Sequence, residues 1–133
     1  MKNNSIKIAL LFAFSAIAIS SYSQIAKNDV DELNTILKSS LYKSIFEIDN
    51  HGLVNRKDNN GNTFVYKISD LLIVKYDFDG FHNAIVVLKA GKKSKSLIEG
   101  KAGESDINVI AFSNKAYCDK TIEIFKKLIK SYN

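Results

Sequence analysis

No proline and no tryptophan occur among the 133 residues, and there are one cysteine, one methionine and two histidines. Without proline, the chain must reverse on residues that tolerate positive φ, and Asn, Asp and Gly do cluster between its apolar runs. A single cysteine, Cys118, excludes an internal disulfide, so an exported chain of this size would rely on its hydrophobic core. A Walker-type phosphate loop is absent: Gly100-Lys101 is followed by Ala102, and no glycine lies five residues before Gly100. No apolar run approaches the ~20 residues that a membrane-spanning helix needs.

What the N-terminus does have is order. Lys2 and Lys7 are basic, Ile8 to Ile19 is weakly polar to apolar, and Ser21 and Ser23 are small and two apart, the layout of a secretory signal. Export to the periplasm or the exterior is therefore expected, with residues 1–23 removed and Gln24 at the new N-terminus. One small domain over residues 24–133, without a transmembrane segment, is the expectation for the rest. No cysteine follows the apolar run, so a bacterial lipoprotein anchor is not expected. Taking Lys2 and Lys7 from the 19 basic residues leaves 17 against 14 acidic, a charge of +3. That excess favours anionic surfaces slightly and is far below a nucleic-acid footprint.

The patterns that follow predict an α+β fold: an N-terminal helix, an antiparallel meander of about six strands, and a C-terminal amphipathic helix packed on it. The first helix starts near Asn28, with Asp29 as N-cap and Glu32 three residues on, and buries Val30, Leu33, Ile36, Leu37 and Leu41. Ile45 to Ile48 and Leu53 to Lys57 flank the turn formers Asp49 to Gly52, which predicts a hairpin. The stretch Thr63 to Leu88 organises the rest. Phe64, Tyr66 and Ile68 alternate as the core side of one strand, and Leu72, Val74, Tyr76 and Phe78 repeat the pattern after a corner at Ser69-Asp70. Asp79-Gly80 suits a two-residue hairpin loop, which sets Phe78 opposite Phe81, Asp77 opposite His82, Val74 opposite Ile85 and Ile73 opposite Val86. Gly91 to Ser105, rich in glycine and lysine, reads as a loop with only Leu97-Ile98 as a short strand. Asp106 to Phe112 is a strand with apolar residues on both faces, which predicts a central or doubly covered position. The last helix follows, capped by Ser113 or Asn114, with Cys118, Ile122, Phe125, Leu128, Ile129 and Tyr132 on its apolar stripe.

In its order of elements the chain resembles the bacterial pleckstrin-homology-like and GRAM-like domains. The residues that carry the likeness are Phe46 to Gly52 (FEIDNHG), Tyr66 to Val74 (YKISDLLIV), with Ile68 to Leu71 as the strand-corner-strand step, and Ile107 to Phe125. The resemblance implies a strongly bent antiparallel barrel plugged at one end by the C-terminal helix. Leu53 to Asn62 offers only Arg56 and Lys57 where that family has its basic phosphoinositide motif, so lipid recognition by that route is not implied.

Candidate sites are few. Asp77, Asp79 and His82 meet at the predicted hairpin, where three ligands without a fourth favour a solvated turn with an Asp77–His82 pair over a metal site. Asp58, Asn60 and Asn62 echo a calcium loop, but Ser69 stands at the position of its distal glutamate, so a turn is expected. Cys118 with His51 or His82 could supply nucleophile and base, yet its place on an apolar stripe predicts core packing. Lys89, Lys92, Lys93, Lys95 and Lys101 could bind an anionic envelope component. These features predict a non-enzymatic binding or structural module without metal or cofactor, whose partner is that component or another protein and not nucleic acid. The alternative class is a small envelope hydrolase using Asp49, Asp70 and Asp77.

Overall fold

The computed structural model describes residues 27–133, so the expected signal and its cleavage site lie outside the described residues. Helix α1, residues 27–37, buries Leu33, Ile36 and Leu37 as its spacing predicts. Asp29 lies within the first described turn and does not cap it. The helix stops at Leu37, whose carbonyl accepts from the Ser40 hydroxyl at 2.7 Å and from the Ser40 N–H at 3.1 Å. Leu41 therefore leaves the buried stripe on which it was expected and is exposed. Its N–H donates instead to the Ala111 carbonyl. The Asn34 amide donates to the Phe46 carbonyl at 2.8 Å and accepts from the Phe46 N–H at 2.7 Å. One side chain thus satisfies backbone groups along a sheet edge, as a further strand would.

The strands are β1 Ile45–Ile48, β2 Leu53–Lys57, β3 Thr63–Lys67, β4 Leu71–Phe78, β5 Phe81–Leu88, β6 Ser94–Ile98, β7 Lys101–Ser105 and β8 Ile107–Phe112. They form two antiparallel sheets, ordered β1-β2-β3-β6-β7 and β4-β5-β8, and neither closes into a barrel. The fold is α+β as expected, but the chain alternates between sheets where a simple meander would have stayed in one. Hairpin β4–β5 has the expected register, from Phe78 opposite Phe81 to Ile73 opposite Val86. Its loop residues Asp79 and Gly80 both have positive φ, 51° and 79°. The same chemistry makes a hairpin where only Leu97-Ile98 was expected as strand: Glu99 and Gly100, at 51° and 78°, join β6 to β7. Its inward residues Ser94 and Ser96 are buried but polar, so no apolar alternation marked the strand.

A corner decides which face of β4 is inside. Ile68–Asp70 forms one 3₁₀ turn, whose period of three sets Ile68 and Leu71 on the same side, and both are buried. Leu71, Ile73 and Lys75 consequently point inward. Leu72, Val74, Tyr76 and Phe78, expected as the core row, point out and are each more than half exposed.

Helix α2, Lys115–Ser131, covers the inner face of the smaller sheet. Asn114 caps it by accepting from the Ala116 and Tyr117 N–H groups. Cys118, Ile122, Phe125 and Leu128 are buried as their spacing predicts, with Thr121 and Ile124 beside them. Phe125 meets Phe46 edge to face at 5.4 Å, which joins the helix to the larger sheet. Burying each of the fully enclosed Phe46, Phe112 and Phe125 contributes about 1.5–3 kcal/mol, so this junction holds the two sheets together.

Candidate functional site

The outer face of sheet β4-β5-β8 carries no charged side chain. Its cross-strand rows are Leu72 with Val87 and Ile107, Val74 with Ile85 and Val109, and Tyr76 with Asn83 and Ala111, closed by Phe78 opposite Phe81. Ile107 and Val109 are about half exposed and Phe78 is 64% exposed. The strand β8 was expected in a central or doubly covered position, but it is an edge strand of this sheet. Among the described residues only its inner face, with Ile110 and Phe112, is covered. The rings of Tyr76 and Phe78 stack at 6.2 Å, so aromatic surface is concentrated toward the hairpin end.

The larger sheet shows what a solvated face of this protein looks like. Its outward rows are Ile45 with Lys57, Thr63, Leu97 and Ala102, Glu47 with Asn55, Val65, Lys95 and Glu104, and Leu53 with Lys67. Polar and charged residues interrupt every apolar row there. At ~200 Å² for a large aromatic side chain and less for an aliphatic one, the half-exposed residues of the smaller sheet leave roughly 600 Å² of apolar surface. That is at the upper end of what monomeric proteins leave open.

The other candidates do not converge on a site. Lys89, Lys92 and Lys93 sit between β5 and β6, at the end of the smaller sheet away from its hairpin, while Lys95 and Lys101 lie out along β6 and β7. Lys89 Nζ donates to the Ser69 carbonyl, Lys93 pairs with Asp106 at 3.4 Å, and Glu104 stands opposite Lys95. Asp77 and His82 form the cross-strand pair, 2.9 Å apart. The Asp58 carboxylate accepts from the Asn60 and Asn62 N–H groups and the Asn62 amide, an Asx-type turn. Among the described residues no group of three His, Cys, Asp or Glu could hold a metal ion.

Two of the three carboxylates considered for hydrolysis, Asp70 and Asp77, lie apart. Asp70 and Asp77 are at opposite ends of β4, about 23 Å along the strand. Asp49 accepts from the His51 and Leu53 N–H groups, both at 2.9 Å, and these bonds, that of Leu53 foremost, hold its carboxyl below the ordinary value. It borders an open groove of about 430 Å³ with Glu47, Ile48, Leu53, Asn55 and Val65. A carboxylate held ionised by its own turn is a poor proton donor. Cys118 is buried, burial raises its thiol pKa, and the neighbouring Asp119 charge adds to the effect.

Sequence reasoning named Arg56 only as a basic residue beside Lys57 and missed its burial. It is 3% exposed on the inner face of β2, bonded to the Ser44 hydroxyl at 3.0 Å, with its guanidinium 4.5 Å above the Phe64 ring. Tyr66 lies beside it, and burial raises the phenol pKa against the pull of the Arg56 charge. No carboxylate pairs with Arg56 among the described residues, and its contacts to the Ser44 hydroxyl and the Phe64 ring pack this cation into the core.

The class is therefore a two-sheet α+β protein with helices at both ends of the described chain and one uncharged sheet face. No protein-family model, curated protein or solved structure matches the chain.

Proposed function

We propose that this chain is an exported, non-enzymatic binding module whose working surface is the outer face of β4-β5-β8. The observation that carries the reading is the contrast between two sheets of one protein, one with charges in its outward rows and one with none. An apolar patch of that size costs solubility, and selection retains such patches where something covers them. Export is supported by the basic, apolar and small-residue order of residues 1–23. The likeness to pleckstrin-homology-like domains is retained as a proposal about architecture and carries no ligand. An anionic envelope component is a secondary proposal, resting on Lys89, Lys92 and Lys93 at one end of the same sheet.

No helix of the described residues is long and apolar enough to cross a membrane. The test is a photo-reactive residue at Val74 or, as control, at Lys67 on the outer face of the larger sheet, each produced in the native host. Adducts are expected at Val74 and not at Lys67. Equal yields at both positions, or none at either, would remove this face as the working surface.

A further inference from the structure

We infer that the outer face of β4-β5-β8 is a self-association surface, on which a second copy of this chain docks face to face with its strands antiparallel to the first. The inference rests on the binding-face reading above and names its occupant. Three properties of the face favour a second copy over other partners.

The first is the absence of charge. Two such faces brought together by a two-fold axis desolvate no ionised group, and every contact made by one copy is repeated by the other. The second is area. Two faces of roughly 600 Å² each bury about 1,200 Å², the lower bound of specific interfaces, which predicts a reversible dimer. The sheets would pack about 10 Å apart with their strands near −30°, the geometry of two twisted antiparallel sheets.

The third is the distribution of charge at the two ends. The loop at the hairpin end carries Asp79, while Asp77 lies in the inward row with Lys75 and His82 as partners; the opposite end carries Lys89, Lys92 and Lys93 against Asp70 and Asp106. Lys75 and its partner Asp119 belong to the inner face and the helix behind it. A two-fold axis along the strands would set the acidic hairpin ends against each other. An axis across the strands sets each hairpin end over the lysine end of the other copy, which is the arrangement inferred. The Asp79 carboxylate disfavours an anionic membrane as the occupant, since it sits in the loop between the exposed Phe78 and Phe81 that would have to insert.

The test uses the protein as its native host produces it. Sedimentation at about 1 to 100 µM should show a monomer–dimer equilibrium, and Val74→Lys should weaken it by roughly a hundredfold. Val74 is exposed, so the urea midpoint of the variant should match that of the parent, and Tyr76→Ser serves if it does not. Orientation is read by mixing Asp79→Cys and Lys92→Cys chains, which should cross-link with each other while Asp79→Cys alone does not. A monomer at 100 µM, or a dimer indifferent to both substitutions, overturns the inference. A photo-adduct at Val74 with mass other than that of two copies overturns the second copy but keeps the binding face. No adduct at Val74 removes both.

Discussion

At the scale of single residues, Gly52 shows how one backbone position ties three segments together. It follows β1 in the first hairpin turn with φ of +79°, and its carbonyl accepts from the Ile68 N–H at 2.8 Å. A Cβ there would lie 3.0 Å from Ile68 Cγ2 and 3.2 Å from Tyr132 Cδ1, the first in the 3₁₀ corner and the second at the end of α2. Gly80 has the same φ with nothing within 4 Å of such a Cβ. Gly80→Ala should therefore cost only the backbone strain, about 1 kcal/mol, and Gly52→Ala about 2–4 kcal/mol because crowding adds to it. Urea unfolding of the two variants checks this. Equal losses would mean that the corner and the helix end yield freely.

At the scale of elements, α2 is held to the smaller sheet by charge as well as by its apolar stripe. Lys75 of β4 bonds Asp119 at 2.8 Å, and Lys115 bonds the same carboxylate at 2.6 Å from one helical turn earlier. Lys115 first and Lys75 second pull the Asp119 carboxyl down to about 2 from an ordinary 3.8. A carboxyl with a lowered folded-state pKa contributes stability that is present above about pH 4 and is lost as pH falls toward 2. The urea midpoint should fall across that window, and Asp119→Asn should lower it at pH 7 while flattening the fall. The group is solvent-exposed, so the effect should shrink as salt rises. An acid limb of unchanged steepness in the variant would assign the loss to other carboxylates.

At the scale of the whole molecule, the two sheets meet different conditions. The larger has α1 along its β1 edge, through Asn34, and an outward face broken by charge. The smaller has α2 on its inner face and an outward face without charge. Export would place that face where self-association or a partner could cover it. Recovery of the protein from its native host should give an intact mass that begins at Gln24. A mass that includes residues 1–23 would contradict the signal reading and keep the apolar stretch Ile8 to Ile19 as a further occupant of the face.

Much of this fold was legible because local chemistry specifies it. Asp79-Gly80 determined the β4–β5 register through two positive φ angles, and the spacing from Cys118 to Leu128 determined α2 and its buried side. Both depend on neighbours within a few residues, which a sequence displays. Strand β6 was legible only at Leu97-Ile98 and β7 not at all, because the inward residues Ser94 and Ser96 face Ser105 and Gly103 and none is apolar; Ser94 is bonded by the Asn108 amide across the fold. The candidate face was legible only by its composition. Leu72 to Phe78 announced an apolar row, and a three-residue turn at Ile68–Asp70 directed that row outward. Burial is a relation between segments distant in sequence, and a period-two strand offers either face with equal ease. Alternation along β4 specifies one apolar row and one mixed row; the corner before it and the packing of α2, with Lys75 reaching Asp119, turn the mixed row inside.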